Sequence, residues 1–253
     1  MVAWVPKTGD HHSREVVLST FDVVRAVADL RDRPVNYDES AAPPHVTTGW
    51  HQDRWTVPLG CEAPGEPEPG GLVETADALV NSYEFSDPAI LRAAYRLPGD
   101  LVGRDMLLEG RFLVLRFLMG VRITARHDEL RTGPHGPERV VGWSYQTLQG
   151  HLEQGRLTYE IGKEIDTGRV EFRIVAHSRR APIRNPLFAL GFRLFGRRTQ
   201  LRFYRHALRR LAGQMAHPPA PPTAGAGGVV KAPSGTAPGR FEWLTVRFAH
   251  PGR

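Results

Sequence analysis

The chain has 253 residues, 41% of them apolar, with a formal charge of +6 and a single cysteine, Cys61. That length and apolar content support a buried core, and one cysteine excludes an internal disulfide and a cysteine-rich metal centre. The most apolar run, Phe112 to Val121, is interrupted by Arg116 and is too short to span a bilayer.

A basic balance ordinarily raises polyanionic partners, yet of the 33 basic residues only Lys7, Lys163 and Lys231 are lysines. The skew follows GC-rich bacterial coding better than selection for phosphate contacts, so nucleic acid is not expected as a partner. The first residues, MVAWVPKTGDHHSRE, lack the apolar stretch of a signal peptide. A cytoplasmic protein without a membrane span is the expectation.

Residues 1–18 show little periodicity and read as a loosely ordered N-terminus. Ser19 or Thr20 can cap a helix over Asp22 to Leu30, where Val23, Val24, Val27 and Leu30 recur at helical spacing. Residues 43–71 are rich in proline and glycine and read as loop, with one strand candidate between His45 and Leu59 around Trp50 and Trp55. A helix follows over Leu72 to Tyr83. Asp87-Pro88 then has the form of a helix start, an N-cap aspartate with proline in the first turn, which predicts a second helix to Arg96.

From Asp105 the period becomes strand-like, with strands expected over Leu107 to Phe117, Val121 to Arg131, Arg139 to Leu148, Arg156 to Ile165 and Arg169 to Ser178. Short loops between them predict an antiparallel meander. In the last hairpin, pairing Ile161 with Ile174 and Ile165 with Val170 puts the apolar residues on one face and leaves a two-residue Thr167-Gly168 loop. Glu160, Glu164, Glu171, Arg173 and His177 then share the opposite face. Asn185-Pro186 opens a long amphipathic helix to about Leu211, with Leu187, Leu190, Leu194, Leu201, Tyr204, Leu208 and Leu211 as its apolar stripe and arginines elsewhere. Residues 213–239 read as a flexible Pro/Ala/Gly-rich linker, and residues 240–253 as a tail or an edge strand over Phe241 to Phe248.

The stretch GWSYQTLQGHLEQG concentrates the chemistry. Trp143, Tyr145 and Thr147 alternate on one strand face, where they can line an apolar pocket or pack as ordinary core. His151 and Glu153 lie two apart in a glycine-bounded turn. An imidazole held by a carboxylate is a workable general base, and Tyr145 is a second proton-transfer candidate; alternatively the two side chains hydrogen-bond the backbone to hold the turn. Arg116, Arg173 and His177 are candidate anchors for a polar group of a ligand, although Arg173 could equally pair with Glu160 across strands. No metal ligand set is expected: His11-His12 lies near the terminus, and His127-Asp128-Glu129 has no converging second segment. No phosphate loop, dinucleotide fingerprint or nucleophile elbow occurs, so no cofactor is expected.

With GWSYQTLQGHLEQG, VEFRIVAHSRRA and QLRFYRHALRRL, the chain resembles uncharacterised protein family 0548, a domain of unknown function. Gly142, Tyr145, Thr147, Leu148, Gly150, His151, Glu153 and Gly155 match the family's strand and turn. Ser178 and Arg179 match its next strand end, and Gln200 and Tyr204 its long helix. Leu152 stands where proline is common. The resemblance implies an α+β, START-like helix-grip fold over residues 19–212: a curved antiparallel sheet around a long C-terminal helix, often enclosing an apolar cavity. The expected function is binding of a small hydrophobic molecule between sheet and helix, with acid–base cyclisation, dehydration or isomerisation as its catalytic extension. The alternative is a non-enzymatic module whose basic helix contacts an acidic protein, a membrane surface or nucleic acid. Nothing in the pattern sets an oligomeric state.

Overall fold

The computed structural model describes residues 21–40, 49–112, 115–183, 186–235 and 246–251. The expectation of a loose segment over 1–18 lies outside them. The elements run α1 (Val23–Ala28), β1 (His51–Cys61), α2 (Leu72–Asn81), β2 (Leu91–Arg96), β3 (Asp105–Phe112), β4 (Leu115–Gly133), β5 (Gly136–Thr147), β6 (Glu153–Glu164), β7 (Arg169–Arg180), α3 (Pro186–Gln214), β8 (Val229–Ala232) and β9 (Val246–Ala249). The architecture is α+β: one large curved sheet in the order β1-β7-β6-β5-β4-β3-β2-β8, with the C-terminal helix α3 laid against β1 and β7.

Every pairing along that order is antiparallel. Bulges between Pro58 and Gly60 and between Ile123 and Ala125 bend β1 and β4, increasing the local twist. β4 is 19 residues long and pairs β5 only from Val121 onward. Its first residues are instead paired by β9 in parallel, through Leu115 to Leu118. That strand falls in the expected tail, although residues 241–245 are outside the description.

Alternation divides the sheet into two faces. The inner face carries cross-strand rows: Trp55, Ile174, Tyr159 and Trp143 in one, Val57, Phe172, Ile161 and Val141 in the next, and Asp53, Ala176, Leu157 and Tyr145 on the other side. α2 closes this face through Val73, Ala76, Leu79 and Val80, and α3 through Phe203, Tyr204, Ala207, Leu208 and Leu211. On the outer face, α1 covers β2 and β3, where Val27 and Leu30 pack with Ala94, Leu107, Leu118 and Leu148.

Several expectations are corrected. The helix expected from Asp87-Pro88 is a single turn, with Ile90 and Leu91 N–H groups donating to the Asp87 carbonyl, followed by strand β2. Ala93 and Tyr95 face the inner core while Ala94 faces α1, so β2 is buried on both sides and its apolar run shows no alternation to read. The strand expected over Leu107 to Phe117 is the β3–β4 hairpin. The β6–β7 register differs by two residues, Ile161 opposite Phe172 and Tyr159 opposite Ile174, which lengthens the loop but leaves every side chain on its expected face because the period is two. Gly168 still takes positive φ there.

The N-cap of α1 is Asp22, whose carboxylate accepts the Arg25 N–H; Ser19 and Thr20, the expected caps, lie outside the described residues. Leu190 is 54% exposed and does not belong to the buried stripe of α3. Residues 213–239, read as linker from composition, include β8, which extends the sheet through Val230 and Ala232 packed into the core. No described helix is long and apolar enough to cross a membrane.

Candidate functional site

At the β7 end of the inner face the rows turn polar. Asp53 precedes Trp55 by two residues on β1, Ser178 follows Ala176 by two on β7, and Glu153 opens β6. α3 crosses above them and supplies the partners. Arg197 donates both terminal nitrogens to Asp53, at 2.5 and 2.6 Å, and Nη1 also reaches Gln200 Oε1 at 2.7 Å. Gln200 Nε2 lies 3.2 Å from both Glu153 Oε2 and Ser178 Oγ. The bidentate fork holds α3 in one rotation against β1, since a planar guanidinium satisfies a carboxylate only in that alignment.

Burial pushes the Glu153 carboxyl up to about 7 against the lowering pull of Arg197, with the Asp53 carboxylate adding to the rise. Glu153 therefore exchanges its proton near neutral pH. Beside it runs a line of phenols. Tyr83 and Tyr159 share a hydroxyl hydrogen bond at 3.2 Å, and Tyr145 and Tyr204 lie close enough to interact electrostatically with Tyr159 and Glu153. Burial holds the Tyr145, Tyr159 and Tyr204 hydroxyls well above the ordinary phenol range, so they remain protonated donors. Trp143 stands edge-on to Tyr159 at 4.9 Å between ring centres. Trp143 and Tyr204 are each 0% exposed, and the indole N–H and the Tyr204 hydroxyl have no hydrogen-bond partner among the described residues.

The turn before β6 has its own internal order. Gly150 and Gly155 take positive φ, and a side chain at Gly155 would collide with the His177 carbonyl oxygen. Thr147 Oγ1 accepts the Gly155 N–H at 3.0 Å and donates to Asn36 Oδ1 at 2.5 Å. His151 Nδ1 accepts the Glu153 N–H at 2.9 Å, which occupies the nitrogen a proton would need and places the hydrogen on Nε2. Burial drives His151 down to about 4, and the N–H donated to Nδ1 favours the same neutral form. The imidazole is thus neutral and tied to backbone, while the Glu153 carboxylate turns to Gln200.

Of the residues singled out by sequence, the structure brings Trp143, Tyr145 and Glu153 to the inner face. Thr147 and His151 fasten the turn. Arg116, Arg173 and His177 lie on the outer face, so the expected ligand set does not line one pocket. Arg116 shares the side of Leu118 and sits 3.6 Å from Glu109. Arg173 pairs with Glu138 and Glu171, and Glu160 pairs with Arg131 at 2.7 Å, so the expected Glu160–Arg173 bridge does not form although the two are directly opposite. His177 Nδ1 shares a hydrogen bond with the Tyr37 hydroxyl at 3.0 Å, and Trp50 stacks on its ring at 4.4 Å. Asp53 and Arg197 were not singled out. An acidic residue alternating with Trp55 and Val57 on an apolar strand face was the available signal.

A family model described as Domain of unknown function (DUF1990) matches residues 35–210, which include every member of the inner cluster. The chain belongs to this family. The residues that carried the resemblance to an uncharacterised domain, Tyr145, Glu153, Ser178, Gln200 and Tyr204, are brought together in the DUF1990 domain by β5, β6, β7 and α3. Among solved structures, the chain is similar to Ara h 8.0201 at 9% identity, over 66% of this chain and 99% of that one, with a TM-score of 0.37. It is also similar to human STARD10 at 11% identity, over 81% of this chain and 86% of that one, with a TM-score of 0.31. No curated protein matches.

Proposed function

We propose that this DUF1990 domain binds a small apolar molecule carrying a hydrogen-bond acceptor, held between the inner face of a helix-grip sheet and α3. One observation carries the reading: two buried donors, Trp143 Nε1–H and the Tyr204 hydroxyl, stand unpaired among the described residues inside an aromatic interior. An orphaned buried polar group costs about 1–3 kcal/mol, which a ligand carbonyl or ether oxygen would recover. Glu153, poised near neutrality, with Tyr145 and Tyr204 close by, supplies a proton donor and acceptor for the catalytic extension, acid–base isomerisation, cyclisation or dehydration of such a ligand.

The test is fluorescence titration with prodan, a neutral aromatic ketone, against wild type, Tyr204→Phe and Trp143→Phe. Loss of one neutral hydrogen bond predicts binding about 3- to 10-fold weaker in each variant. Tyr204→Phe should at the same time unfold about 1 kcal/mol less readily, because it deletes an unsatisfied hydroxyl. Equal affinity in all three proteins, or no binding at all, defeats the proposal.

A second reading rests on α3. Arg198, Arg202, Arg205 and Arg209 are exposed and recur at helical spacing along one face, a stripe suited to an extended polyanionic surface. Binding through it should fall steeply with added salt, whereas prodan binding should not.

A further inference from the structure

On the outer face, across the sheet from the inner cluster, a depression of 380 Å3 opens over β1, β7 and β6, bordered also by Asp53 and Ala176, which alternate with its outward-facing residues. Its floor is Val175 and His177, its sides are Gln52 and Arg54 from β1 and Arg156 and Thr158 from β6. The strands dictate this grouping. Arg54 is directly opposite Val175, and Arg156 directly opposite His177, so the two guanidiniums rise from strands flanking β7 and can reach over the same floor. Arg54 is exposed and has no partner among the described residues. Arg156 Nη1 donates to Glu39 at 2.5 Å, which leaves most of its donors unused. Beyond His177, the Arg179 guanidinium lies 4.7 Å from the Trp50 ring, adding a third positive charge. The neighbouring acids are otherwise engaged: Asp53 by Arg197 on the inner face, Glu160 by Arg131, and Glu138 and Glu171 by Arg173.

We propose that this depression is a second binding site, distinct from the inner one, for a small organic oxyanion, a carboxylate or phosphate monoester. Arg54 and Arg156 hold the anionic group, Gln52 adds a neutral donor, and the Val175 methyls receive the apolar remainder. Guanidiniums suit this role because their planar donor forks match carboxylate and phosphate oxygens. Glu39 competes for Arg156, so it sets the affinity from within the site.

The experiment is calorimetric titration of the full chain with phenyl phosphate, benzoate and inorganic phosphate as separate arms, in wild type, Arg54→Gln, Arg156→Gln and Glu39→Gln. Wild type should bind at least one of the aryl anions. Removing either arginine should weaken binding about tenfold or more, and Glu39→Gln should tighten it by releasing Arg156. Tighter binding of phenyl phosphate than of benzoate identifies a phosphate ester as the ligand class, and the reverse a carboxylate. The inorganic phosphate arm shows whether the apolar remainder contributes. No binding of any arm at about 10 mM, or affinities unchanged in the arginine variants and in Glu39→Gln, overturns the proposal.

Discussion

Replacing Glu153 by glutamine should leave stability unchanged near pH 4.5 and raise it progressively toward pH 8, because Glu153 and its neighbour His151 titrate against each other. The Glu153 carboxyl rises from 4.5 to about 7 on folding. A raised carboxyl contributes fully below its unfolded value and loses that contribution as pH climbs through the folded value. At ~1.4 kcal/mol per unit the loss is about 3 kcal/mol between pH 4.5 and 7, an upper figure because the side chain is only half-buried and partly screened by water. His151 falls from 6.5 to about 4. Its contribution is complete above 6.5 and disappears as pH drops through 4, again about 3 kcal/mol.

The two slopes have opposite sign over the overlapping window, so the wild type should be nearly flat with respect to this pair. Glu153→Gln retains the acceptor for Gln200 and removes one slope. Measured by urea unfolding, the variant should match wild type near pH 4.5 and exceed it by up to about 3 kcal/mol at pH 8. His151→Gln should unmask the opposite slope, losing stability relative to its own pH 5 value as pH rises. A wild-type to Glu153→Gln difference that stays constant from pH 4.5 to 8 refutes the assignment of Glu153 as a near-neutral carboxyl.

Other substitutions probe how the site is held. Arg197→Met strands Asp53, whose side chain is 8% exposed, and should cost about 2–4 kcal/mol in chemical denaturation, with Asp53→Asn restoring much of it in the double variant. Lys163 is fully buried with its Nζ 2.8 Å from Glu62, fastening β6 to the loop after β1. Lys163→Met alone should lose about 3–5 kcal/mol of unfolding free energy, and Lys163→Met with Glu62→Leu considerably less. Gly155→Ala, which drives a methyl into the His177 carbonyl at positive φ, should cost about 4 kcal/mol or more and abolish the cooperative thermal transition at its wild-type temperature.

Legibility followed the strength of the period. β5 to β7 alternate with one apolar face, so their existence, order and facing were readable, and a two-residue register error changed no side chain's face. β2 stands where the sequence predicts a helix because α1 and the inner core bury opposite sides of the same short run, which erases its alternation. β8 carries no local signal because its four residues lie in Pro/Ala/Gly-rich sequence and owe their strand conformation to the edge of β2. In the site, the Gly-His-x-Glu-x-Gly turn advertised His151 and Glu153 together, yet it was the backbone bond to Nδ1 that separated their roles.

The residues alone determined a meander followed by a long helix, because alternation at two and recurrence near 3.6 are properties of neighbouring positions along the chain. Which charges meet was decided elsewhere. Asp53 and Arg197, separated by 144 positions, pair because β1 joins the sheet beside β7 and α3 lies across both. Arg173 and Trp143, expected to serve one ligand, stand on opposite sides of a sheet one residue thick. Long-range strand order fixes such meetings, and no local pattern encodes it.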